Sequence, residues 1–188
     1  MDAETARLRA LEAARTLFNE RGVQAVGMDA IRTASGVSLK RLYQLFPSKD
    51  ALVEEVLRLR DEAFLADVAA HAERTGARAP YDRVLDVFDF LAEWFAEPDF
   101  RGCVFINAHG ELGGVSAGVT AVVRAHKQAV RAYFADLVDA LGAPAGLADQ
   151  LAVLADGAMA SAGVSGSPAA AGQAKEAARV LVDAALGR

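Results

Sequence analysis

At 188 residues and 53% hydrophobic content, the chain has room for one large domain or a small head on a larger body, and its composition excludes wholesale disorder. Its single cysteine, Cys103, excludes an intramolecular disulfide framework and a cysteine-rich zinc site. The net charge of −5 is unevenly held: residues 1–60 carry ten Lys and Arg against eight Asp and Glu, residues 61–188 ten against seventeen. A nucleic-acid partner is therefore not excluded, because phosphate contact depends on local charge. No stretch approaches the roughly 18 apolar residues of a membrane span. The first residues mix acids with bases and lack an apolar signal core, so the cytoplasm is the expected compartment.

Helical periodicity runs through the whole chain and no strand pattern competes with it. A first helix is predicted over 3–21, with Leu8, Leu11, Ala14, Leu17 and Phe18 as its apolar stripe and Gly22 as its stop. A second opens at Gly27 with Met28 and Ile31 facing inward. It ends before the turn Ser35-Gly36-Val37. The third starts at Ser38, whose hydroxyl can cap free backbone N–H groups, and runs to Phe46. Pro47 closes this unit, and Ser48 caps a long fourth helix reaching about residue 74 through Leu52, Val53, Val56, Leu57, Phe64 and Val68. The linker RTGARAP follows at 74–80. A fifth helix is expected over 81–97, ended by Pro98, and a short buried one over 100–108. HGELGGVSAG, 109–118, reads as a breaker-rich loop, 117–141 as a long seventh helix, and 147–162 and 169–186 as two Ala-rich final helices. Small residues allow close helix approach, so that last pair is expected to build a four-helix contact with a second copy. A tightly packed monomeric hairpin is the alternative.

The stretch Gly27–Lys49 carries the chemistry. Two short helices joined by a tight turn can set the second into the major groove of DNA. From Ala30 to Lys49 there are four bases (Arg32, Lys40, Arg41, Lys49) and no acid. With Val37, Leu42, Leu45 and Phe46 packing inward, Leu39, Lys40, Arg41, Tyr43 and Gln44 are left for another surface. Arg41 can read guanine bidentately, Lys40 can reach phosphate or guanine, and Gln44 can bond adenine or phosphate. Leu39 suits a thymine methyl or burial against the first helix. Arg7 and Arg9 fit either phosphate contacts or a solvated helix face.

Ala14, Leu17-Phe18, Gly22, Met28, Ile31, Ala34, Gly36-Val37-Ser38, Leu42-Tyr43, Phe46, Ser48-Lys49 and Leu52 together resemble the N-terminal domain of the TetR family of bacterial transcriptional regulators, over about residues 5–57. The resemblance implies an all-α homodimer of about nine helices. A DNA-binding head (1–47) would sit on a ligand-binding and dimerisation body (48–188), with the last two helices as interface. It further implies repression of transcription, released from a palindromic operator by a small hydrophobic or amphipathic ligand, with no cofactor. Tyr43 and Lys49 take the positions of phosphate contacts. Gly27, Met28 and Ser38, at the starts of the second and third helices, complete the DNA-facing set. Two positions depart from the family: Gly27 replaces the usual Thr or Ser, and Gln44 the usual His.

In the body, Phe88, Trp94, Phe95, Phe105 and Tyr133 are candidate pocket walls, with Phe134 beside them and Asn107, His109, Glu111 and His126 as polar groups. An aromatic stripe at helical spacing is more often core than ligand cage, so each aromatic also suits a core position. Asn107, His109 and Glu111 at alternate positions are a weak metal pattern. Cys103 suits a buried small residue or a thiol sensor. Two rival functions remain at this level. A small all-α enzyme would need a nucleophile with a base, a carboxylate pair or a metal cluster. A DNA-binding dimer without an effector would need only the head and an interface.

Overall fold

The computed structural model describes residues 1–188 and contains nine helices and no strand. They are α1 (Ala3–Arg21), α2 (Met28–Ser35), α3 (Leu39–Leu45), α4 (Lys49–Thr75), α5 (Pro80–Phe95), α6 (Val104–Leu112), α7 (Ala117–Ala140), α8 (Gly146–Ser165) and α9 (Ala169–Ala185). The chain forms two compact units. The first comprises Met1–Glu62 and Val104–Ala125, the second Ala63–Cys103 and His126–Arg188, so α4 and α7 contribute to both. The first unit is thus larger than a head of residues 1–47, since it takes in the start of α4, all of α6 and the start of α7.

In the first unit, α1 begins on Asp2, whose carboxylate accepts from the Thr5 N–H at 2.8 Å. This bond holds the Asp2 carboxyl below the usual carboxylate range. The helix ends at Gly22, which takes φ 80° and donates its N–H to the Phe18 carbonyl. Leu8 is not in the stripe: it is 57% exposed, and Ala6 and Ala10 are buried beside Leu11, Ala14, Leu17 and Phe18. The reason is close packing, because α1 touches both α2 and α3 and small side chains admit those neighbours. Ile31, Val37, Leu42 and Phe46 complete the core, and Leu42 and Ile31 have no exposed surface. Burying side chains of this size contributes about 1.5–3 kcal/mol each. Arg7 lies over the Phe46 ring, 5.1 Å from its centroid, and pairs with Glu55 of α4.

Sequence periodicity misplaces α6. It starts at Val104 rather than 100 and continues to Leu112, through the first four residues of the expected loop 109–118. Gly110 and the adjoining Gly113 weaken helix propensity, but burial of Phe105, Ala108 and Leu112 outweighs that cost. Only Gly113–Ser116 remains between helices, and Ser116 caps α7 by accepting from the Val119 N–H.

The second unit is organised on α5, which packs on α8 and α9 while these pack on each other. Helix α5 ends at Phe95, earlier than Pro98 requires. Its core face is Val84, Val87, Phe88, Leu91 and Phe95. Against it lie Leu151, Ala155 and Met159 of α8 and Ala174, Ala178 and Val182 of α9. Gly163 is obligatory for a packing reason, because a Cβ there would lie 2.9 Å from the Gly102 Cα. Lys175–Asp89 at 2.6 Å and Tyr81 Oη donating to Asp183 at 2.9 Å tie α9 to α5.

One buried cluster has no counterpart in the hydropathy pattern. His71 and Asp86 are 2% and 4% exposed, with Nδ1 2.9 Å from Oδ2, and Thr75 donates its hydroxyl to Asp86 Oδ1 at 2.6 Å.

Candidate nucleic-acid interface

The basic stretch becomes a surface because its apolar residues are used up inside. Ser38 accepts from the Arg41 N–H and starts α3, Leu42 locks one side of the helix into the core, and Phe46 closes it. The opposite side presents Lys40, Tyr43 and Gln44, with Tyr43 48% exposed; Leu39 and Arg41 are half-buried. Arg41 Nη1 donates to Gln44 Oε1 at 3.2 Å, so the departure at Gln44 also orients the neighbouring guanidinium. Gly36, in the left-handed conformation at φ 68°, makes the turn between α2 and α3, and the Arg9 guanidinium lies beside it.

Gly27 is exposed and extended at the head of α2 and offers no side-chain cap. Met28 is 7% exposed, so its side chain belongs to the core and only its backbone is presented at that end. Lys49 is half-buried, and its ammonium donates to the Gln24 carbonyl at 3.4 Å. Arg7, engaged by Glu55 and Phe46, is a structural staple in this arrangement. Arg32 pairs with Asp29 at 3.0 Å.

The candidate pocket residues belong to both units. Phe105, buried, and Asn107, exposed, belong to α6 in the first unit. There Asn107 lines a cleft of about 410 Å³ with Phe18, Val23, Ile106 and Glu111. In the second unit Phe88 is buried against Phe134, and Phe95 against Phe100 at 4.6 Å between centroids. Trp94 is half-buried and stacks on Phe90. His126 meets Phe64 edge-on at 5.4 Å, and Phe64 in turn meets both Phe90 and Trp94. Tyr133 is half-buried and accepts from Arg83 at 3.2 Å. Sequence reasoning did not select Phe90, although it lies four residues before Trp94 on one helix face. Cys103 is buried with Lys127 Nζ at 3.6 Å, and Lys127 pairs with Asp156. No cluster of three or more His, Cys, Asp or Glu is arranged to hold a metal ion, and no helix is long and apolar enough to cross a membrane.

Glu111 is the residue whose role the sequence concealed. It reaches from α6 to the turn between α1 and α2, where its two carboxylate oxygens accept from the Val23 N–H at 3.0 Å and the Gln24 N–H at 2.7 Å.

Three packed helices whose last member turns a basic, acid-free face to solvent define a helix-turn-helix DNA-binding head. Residues 10–56 match the profile of bacterial regulatory proteins of the tetR family. A solved structure of a putative TetR transcriptional regulator from Streptomyces avermitilis is 35% identical, covers 96% of this chain and 97% of its own, and superposes with a TM-score of 0.85. A TetR-family transcriptional regulator from Streptomyces coelicolor, 27% identical with 97% coverage of both chains, has a TM-score of 0.89. Among curated relatives, the HTH-type transcriptional regulator UidR of Escherichia coli (strain K12) is 37% identical over 65 residues, 35% of this chain; the match spans 33% of that relative's length. The chain belongs to the TetR family of bacterial transcriptional regulators.

Proposed function

We propose that the protein is a homodimeric repressor, released from a palindromic operator by a small hydrophobic or amphipathic effector. The observation that carries this reading is the face of α3: Lys40, Tyr43 and Gln44 point outward from a helix whose other side is fixed by Leu42. In this reading Tyr43, Lys40 and Lys49 contact phosphates, and Arg41, steadied by Gln44, reads base edges with Leu39 beside it. Ser38 and the backbone of Gly27 and Met28 complete the contact. Residues 1–47 act as the DNA head and 48–188 as the control and pairing body.

The partner for the last two helices is a second copy. Val153, Gly157, Ala160, Ser161 and Val164 form an exposed, uncharged strip on α8, and Val180 is 60% exposed on α9. The effector is received by the aromatic cluster of the second unit, where Phe64 joins the half-buried Trp94 and Phe90 to His126. Two heads then face half-sites about one DNA turn apart, and an effector that favours a different head spacing lowers operator affinity. The cytoplasm is the compartment that such a function requires.

The test is a salt titration of the wild type and the Tyr43→Ala and Lys40→Ala variants. The probes are a duplex selected by the wild type from a random pool and an unrelated duplex. The wild type is expected to prefer the selected duplex, and Lys40→Ala to lower the salt slope by about 1. Equal binding of both duplexes by the wild type would overturn the proposal.

A further inference from the structure

The head is fastened at a point remote from α3. The chain leaves α1 at Gly22, buries Val23 and Val26, and enters α2 through Gly27, which has no side chain with which to cap the helix. Helix α2 therefore begins without the local oxygen that usually fixes such a start. Three residues upstream, the Gln24 peptide is held on both sides: Glu111 of α6 accepts its N–H at 2.7 Å, and Lys49 of α4 donates to its carbonyl at 3.4 Å. Glu111 also accepts the Val23 N–H at 3.0 Å, and its own backbone carbonyl accepts from the Gln24 side-chain amide. The carboxylate lies so close to Gly22 that a Cβ there would sit 3.1 Å from its Oε1. One acidic side chain, 87 residues downstream, thus grips two successive backbone amides, and its backbone carbonyl takes a third donor.

Charge-assisted hydrogen bonds of this kind are shorter and stronger than neutral ones, and two on one carboxylate fix orientation as well as distance. The contact lies at the half-exposed rim of the unit, while Ile31 and Leu42 hold its centre with no exposed surface. It is therefore placed to set direction rather than to hold the core together. Helix α2 packs on α3, so the turn that aims α2 also aims the face carrying Lys40 and Tyr43.

We infer that Glu111 is a positioning residue for DNA binding: through the Val23 and Gln24 amides, α6 sets the presentation of α2 and α3, in place of the cap that Gly27 lacks. This rests on the proposed DNA-binding reading. A displacement of α6 is transmitted to the head through this carboxylate.

Wild type, Glu111→Ala, Glu111→Gln and Gln24→Ala are compared by amide exchange at Val23 and Gln24, by thermal unfolding, and by affinity for the selected and unrelated duplexes. Glu111→Ala is expected to speed exchange of those two amides about tenfold and to weaken the selected duplex about tenfold, with the unrelated duplex unchanged within about twofold. Glu111→Gln, which keeps one oxygen for one amide, falls between wild type and Glu111→Ala, and Gln24→Ala has the smallest effect. Unchanged exchange in Glu111→Ala would overturn the inference, as would faster exchange with undiminished selective binding. If Glu111→Ala does not fold, wild-type affinity in both other variants overturns it. A wild type that does not distinguish the duplexes defeats the DNA-binding reading itself and the inference with it.

Discussion

The two compact units differ in what they bury. The first hides an almost purely apolar core, interrupted only by the small hydroxyls of Ser35 and Ser116, and turns Lys40, Tyr43 and Gln44 to solvent. The second buries a His–Asp pair, His71 and Asp86, and a further histidine, His126, yet leaves Val153, Val164 and Val180 exposed on α8 and α9. An exposed polar face is satisfied by water until a charged partner displaces it; an exposed apolar strip is satisfied only by another apolar surface. In the reading proposed above, the strip on α8 and α9 is the part of the second unit that a second copy covers. The buried polar pair there exacts geometry that a purely apolar core does not, since each partner is costly once the other is lost.

Removing one partner of that pair tests the contrast most severely. Asp86→Ala takes from His71 Nδ1 its buried partner and leaves the Thr75 hydroxyl only the His71 and Ala72 carbonyls, and chemical denaturation is expected to show a loss of about 3–5 kcal/mol. In the first unit the comparable lesion is a cavity. Leu42→Ala, at a position with no exposure, is expected to cost about 2–5 kcal/mol and to abolish selective DNA binding, because α3 loses its anchor. If Leu42→Ala cost nothing, the view of the head as a tightly packed apolar unit would be wrong.

Val153→Asp sharpens the other side of the comparison. Val153 is 71% exposed in the protomer, so the circular dichroism spectrum should be unchanged. Sedimentation should show the dimer dissociation constant raised on the order of 100-fold, from burying an unpaired charge. An unaltered dimer would place the interface elsewhere.

The smallest effect concerns a surface pair. The hydrogen bond from Arg74, at 2.8 Å, holds the Glu93 carboxyl below the ordinary carboxylate range. A carboxyl depressed in the folded state adds stability above its unfolded pKa and loses it as pH falls through the lower folded value. A small melting-temperature difference between wild type and Arg74→Ala should therefore exist at neutral pH and vanish well below the ordinary glutamate value of about 4.3. A difference that persisted in acid would assign Arg74 a packing role instead.

Much of the head is legible in the sequence because its signals are local. Ser38 caps α3 from three residues away, Gly36 makes its turn with its own φ, and Ile31 and Leu42 fall on one side of short helices whatever surrounds them. Leu8 is misplaced because period alone cannot tell that Ala6 and Ala10 face the close neighbours. The end of α6 is misplaced because Gly110 weakens a helix that tertiary burial restores. For the candidate site, the exposure of Lys40, Tyr43 and Gln44 follows from the pattern, and the Met28 side chain is buried, so that only its backbone is presented at the head of α2. Phe105 and Asn107 belong to the first unit and the other five candidate pocket residues to the second, a division that composition does not carry.

The sequence by itself determined the all-helical class and the basic helix-turn-helix stretch, because caps, turns and apolar period act over a few residues; the family was legible as a resemblance of placed residues over about 5–57. Only the tertiary structure decided that Asp86 is a core residue held by His71 and Thr75, and that Glu111 grips the turn at Val23 and Gln24. Such a contact is made by whichever acid the fold delivers to two free N–H groups. The spacing of 87 residues between Gln24 and Glu111 leaves no trace in local pattern.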